Sequence, residues 1–126
     1  MSVGSYHAGS AMLDFLNERI SDCQARRKLL QKESRDDEAD FEKIRENVYG
    51  IFKTVLSTGI GTQGETADGA RGFFLEKLEQ IPSNWTASYE KAAAHEDAQK
   101  MHIEGIKLEA VREIRDACRR IWEKEE

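Results

Sequence analysis

Residues 10 to 57 read SAMLDFLNERISDCQARRKLLQKESRDDEADFEKIRENVYGIFKTVLS, with Gly50 the single glycine and no proline. Apolar residues recur at Leu13, Leu16, Ile20, Cys23 and Leu30, then at Phe41, Ile44, Val48, Ile51 and Val55. Steps of three and four are the period of an α-helix and not of a strand, so this half of the chain is read as helical. The series keeps its phase throughout, but Arg27, Ser34 and Asp37 stand where apolar residues are due. One continuous helix would carry that polar gap on its seam. Alternatively, Ser34 with Asp37 forms a capping box, in which the serine accepts an orphan amide. The second reading is preferred, with a break between 33 and 35 and helices over about 10–32 and 35–57.

Working outward from this stretch, residues 57–69 contain four glycines among Ser, Thr, Gln, Glu and Asp, with no apolar period. They are predicted to form a mobile Gly-rich surface loop. Ala70, Phe73, Phe74, Leu78 and Ile81 restore helical spacing over about 69–81, with Thr66 or Asp68 as N-cap and Pro82 as terminator. A last helix is predicted over about 84–125 from Tyr89, Ala92, Ala98, Met101, Leu108, Val111, Ile114, Cys118, Ile121 and Trp122. Unbroken, it would run roughly 60 Å at 1.5 Å per residue, against a radius of gyration of about 14 Å for a compact domain of this size. Either the molecule is elongated or this helix breaks, and Gly105 is the expected weak point. Residues 1–9, rich in Gly, Ser and His, are expected to be disordered.

The fold class expected is therefore all-α, one domain over 1–126, either an antiparallel helical bundle or a long helical hairpin. A narrow apolar stripe must be covered by something. If the last helix outruns its partners within the chain, a second copy supplies the cover. A homodimer, in a coiled-coil or bundle mode, is the expected assembly, with a closed monomeric bundle as the alternative to it and another protein as the alternative partner.

Composition narrows the partners. Nineteen basic against 24 acidic residues leave a net charge of −5, the wrong sign for neutralising phosphates, so no nucleic acid is expected. Apolar runs fall far short of the roughly 20 residues that cross a bilayer, so no membrane is expected either. Cys23 and Cys118 are the only cysteines and form no CxxC pair; both read as small buried residues in a cytoplasmic protein. The N-terminus has no basic region followed by an apolar run and does not resemble a signal peptide.

Motifs with chemical meaning are weak. Gly59-Ile60-Gly61-Thr62-Gln63-Gly64 matches GxGxxG, but it follows a helical stripe where a dinucleotide site needs a buried strand and a βαβ unit. The di-iron pattern Glu-x-x-His is absent, since Gly4, Ala92 and Gln99 precede His7, His95 and His102 by three. On one unbroken helix His95 and His102 would share a face, yet two imidazoles do not make a site. No catalytic residue, metal ligand or cofactor is assigned. Arg112, Arg115 and Arg119 line one helix face and could meet phosphate or an acidic partner; pairing with Glu109, Glu113 and Asp116 is the blander account. Asn84-Trp85-Thr86 matches a glycosylation sequon, but helix capping explains it better.

The function expected is a non-enzymatic helical interaction module that self-associates. The candidate interface residues are Phe41, Ile44, Val48, Ile51 and Val55 from the stripe, with the aromatic cluster Phe73, Phe74, Trp85 and Tyr89. Adjacent Phe73 and Phe74 cannot both enter one seam, so either one face of the cluster reaches outward or the cluster caps the end of the bundle where the loop crosses, leaving nothing for a partner. Two alternatives stand beside this reading: a small ligand- or metal-binding bundle protein or enzyme centred on His95 and His102, and a nucleic-acid-associated regulator.

Overall fold

The computed structural model describes residues 3–63 and 68–123, and among these every regular element is helical. In chain order they are α1 (Val3–Lys32), α2 (Asp36–Gln63), α3 (Asp68–Gln80), α4 (Ser83–Ala94) and α5 (Ala98–Glu123). Four of them share one core. Met12, Leu16 and Cys23 of α1 meet Val48, Phe52 and Leu56 of α2, Phe74 and Leu78 of α3, and Ile114, Cys118 and Trp122 of α5. Helix α4 packs on α5 and reaches the core edge through the half-buried Trp85.

The break between α1 and α2 is built by residues in a left-handed turn. Ser34 has φ 60; its N–H donates to Gln31 O at 3.1 Å and the Arg35 N–H to Leu30 O at 2.8 Å. Those two bonds satisfy carbonyls that the end of α1 would otherwise leave open, in a Schellman motif with Ser34 at C′. Ser34 therefore closes α1 and does not form the capping box at the start of α2. Asp36, Asp37 and Glu38 occupy the first turn of α2, where carboxylates complement the positive end of the helix dipole.

The same device divides the final helical stretch. Glu96 has φ 55, its N–H donates to Ala93 O at 3.2 Å, and the Asp97 N–H donates to Ala92 O at 2.8 Å. Asp97 then caps α5, its Oδ1 accepting from the Lys100 N–H at 3.1 Å. The predicted long helix over 84–125 is thus two helices that fold back on each other, and the break falls at 95–97 and not at Gly105. Gly105 lies inside α5 against Tyr89, whose Cε2 would stand 3.9 Å from a β-carbon there.

Helix α1 runs from Val3, and Ala8 continues the spacing of Met12 and Leu16 and is fully buried with them. One further expectation is corrected. The Gly-rich loop expected over 57–69 is helical through Gln63 and again from Asp68; residues 64–67, Thr66 among them, lie outside the described residues. Leu56 is buried and Ile60 packs on the core, which draws this part of α2 into the helix. Gly59 faces α3, where a β-carbon would come within 3.0 Å of Phe73 Cδ2. The glycine permits a close helix approach there and does not serve a turn.

Helix α2 is tied to α5 by Tyr49, 1% exposed, whose hydroxyl donates to Glu113. Burial, with the Glu113 carboxylate next to it, pushes the Tyr49 phenol well above its ordinary range. Among the described residues no helix is long and apolar enough to cross a membrane.

Candidate interaction cleft

The turn at 33–35 brings the end of α1 beside the start of α2, and the first half of α5 lies across both. Where the three meet there is a cleft of about 400 Å³. Leu30, Phe41 and Ile106 give it an apolar lining, and Leu29 stands at its edge, 58% exposed. A leucine that exposed is unusual only because it borders a hollow of matching chemistry. His102 lies edge-on to Phe41, with ring centroids 4.5 Å apart and planes at 83°, an arrangement that suits the quadrupoles of the two rings.

Charged residues of both signs surround the cleft, including Arg26, Arg45, Glu38, Glu42 and Glu109. Glu42 is held by Arg26 at 3.7 Å and Arg45 at 4.0 Å, while Glu46, one turn on, meets Arg27 at 3.0 Å and Lys43 at 3.6 Å. The Arg26–Glu42 and Arg27–Glu46 pairs join α1 to α2 beside the cleft, while the other two lie within α2. Cys23 lies under them: burial, then the charge and hydrogen bonding of Glu42, push its thiol up to about 12. Cys118, buried between α3 and α5, is pushed to about 11 by burial. Both cysteines are free and buried.

The residues singled out from the sequence scatter across the molecule. Phe41 alone lines the cleft. Val48 and Phe74 are buried in the core and Val55 packs against it. Ile44 is half-buried and Ile51 is 39% exposed. Phe73 lies half-buried against Gly59 with Lys77 Nζ 5.6 Å from its ring centroid, so Phe74 faces inward and its neighbour outward. Trp85 is half-buried under Lys107 Nζ at 5.6 Å, and Tyr89 packs beside Gly105.

Leu29, Leu30, Ile106 and His102 were not marked by periodicity as interface residues. A signal did exist, since Leu29-Leu30 is an adjacent apolar pair and, like Phe73-Phe74, cannot point both members into one seam. The histidine pair does not form the shared face that an unbroken helix would give: His95 ends α4, while His102 sits within α5. Among the described residues no three His, Cys, Asp or Glu side chains gather as metal ligands would. Gly59 and Gly61 are helical, so the GxGxxG letters form no phosphate loop there. No family model, curated protein or solved structure matches this chain.

Proposed function

We propose that this chain is a non-enzymatic helical interaction module of the cytoplasm, an antiparallel bundle that pairs with a second copy of itself through the cleft at the α1–α2 turn. The observation that carries this reading is the juxtaposition of a protruding Leu29 with a hollow lined by Leu30, Phe41 and Ile106. In a two-fold interface each residue i meets j and each j meets i, so a knob beside a hole on one patch is self-complementary. The rim supports the same occupant: it carries arginines and glutamates together, and rotating one copy onto the other can set opposite signs face to face.

The reason for a dimer read from the sequence, a last helix too long for its partners, is removed by the break at 95–97. The exposed leucine and its cleft take its place. An interface centred on one such contact is small, so dissociation is expected in the micromolar range.

Sedimentation velocity over a dilution series tests the reading. A mass rising from 14.4 kDa toward twice that value is expected, and Leu29→Asp should hold the chain at the lower mass with its helical circular dichroism unchanged. A single monomeric species up to about millimolar concentration contradicts it.

A further inference from the structure

Arg112, Arg115 and Arg119 recur along one side of α5 and all are exposed. Glu109 and Asp116 stand one helical turn from Arg112, and Asp116 one turn from Arg119, while Glu113 is engaged by Tyr49. Pairing within the helix would neutralise such a row. Among the described residues, however, none of the three arginines is in an ion pair; Arg115 Nη2 instead donates to Leu78 O at 3.5 Å, across to α3.

The row borders a groove. Arg115 and Arg119 line a cleft of about 480 Å³ between α3 and α5, together with Arg71 and the 36% exposed Leu75. Arg112 and Arg115 line a second cleft of about 440 Å³ toward the start of α4. The two clefts share Arg115 and Glu79 and so run on from one another. Beside Arg71, which has contacts of its own, the charged lining sets Arg112, Arg115 and Arg119 against Glu76 and Glu79, a slight local excess of positive charge in a chain whose net charge is −5. This flank of α5 is not the one that carries His102, Ile106 and Glu109 to the self-pairing cleft.

We propose that the groove binds an acidic, extended segment of a partner protein. From Arg112 to Arg119 the helix advances about 10 Å. Same-side residues of an extended peptide recur about every 7 Å, so two alternate acidic side chains fit along this row and can reach guanidinium forks, which hold carboxylates in a bidentate manner. The intervening side chains lie on the exposed Leu75. Each exposed pair contributes little by itself, so binding depends on the whole row and weakens with salt.

Fluorescence polarisation of the full chain with a fluorescein-labelled decapeptide of alternating glutamate and leucine tests this. Saturable binding at low ionic strength is expected, with about tenfold or greater loss on joint Arg112→Glu, Arg115→Glu and Arg119→Glu substitution. The pair Arg112→Gln and Arg119→Gln, which keeps the Arg115 bond to α3, should also weaken it while leaving circular dichroism unchanged. Leu29→Asp should bind the peptide like the wild type, which separates this groove from the self-pairing cleft. The proposal is overturned if the peptide does not bind, if the arginine variants bind it unchanged, if the lysine–leucine counterpart binds equally, or if a labelled single-stranded DNA oligomer binds more tightly than the peptide.

Discussion

At Gly50 and Gly72 a β-carbon would meet nothing within 4 Å, whereas at Gly59 it would meet Phe73 Cδ2 at 3.0 Å. All three glycines are inside helices, where alanine is preferred by about 0.5–1 kcal/mol through the lower entropy of the unfolded chain. Gly50→Ala and Gly72→Ala are each expected to raise unfolding stability by about that amount. Gly59→Ala should forgo the gain, since the Phe73 ring must shift; urea denaturation of the three variants compares them directly. The thiols of Cys23 and Cys118 give a second test. Their pKa values rise from 9.0 to about 12 and about 11, so the folded state retains protons that the unfolded chain releases. The stability this provides is complete below about pH 9 and declines as pH rises toward 11 and 12. Replacing both cysteines with alanine should flatten that alkaline decline in thermal melts, at the cost of some core packing.

The helix breaks are set by Ser34 and Glu96, non-glycine residues held at φ 60 and 55. A left-handed conformation costs such residues roughly 1–2 kcal/mol, a cost glycine avoids. Ser34→Gly and Glu96→Gly are therefore expected to stabilise the protein by about 1 kcal/mol each. The sign is diagnostic at Glu96, because glycine inside an unbroken helix would instead destabilise by about 1 kcal/mol; thermal melts of the variant decide between the two. Asp97→Ala should cost about 1 kcal/mol by removing the bond to the Lys100 N–H. The break near 33–35 was legible because the apolar series lapses at Arg27, Ser34 and Asp37. The break at 95–97 was not, since Ala92, Ala93 and Ala94 favour helix and no glycine or proline marks the turn. Glycine misled in the other direction: those of 57–63 read as a loop by composition, while Leu56, Ile60 and the close approach of Phe73 hold that segment in α2.

Across the whole molecule, the core was legible where the helical period holds, as at Leu16, Cys23, Val48, Phe74, Leu78, Ile114 and Cys118, all buried. Trp122 packs on Phe74 with ring centroids 6.1 Å apart and ties the end of α5 to α3. Trp122→Ala is expected to cost about 3–5 kcal/mol in denaturant unfolding, the loss typical of a large aromatic removed from a packed site. The surface was harder to read, because a cleft forms between helices distant in sequence and only folding brings Leu29, Phe41 and Ile106 together. Periodicity marks the seam of a helix and says little about which apolar residue beside the seam stays uncovered.

Self-pairing through that cleft is tested most directly by amide NMR shifts recorded on serial dilution. The signals of Leu29, Leu30, Phe41, His102 and Ile106 should move together with concentration, and the same residues in Leu29→Asp should remain still. Spectra that do not change across the dilution, or changes confined to other faces of the bundle, would contradict the account.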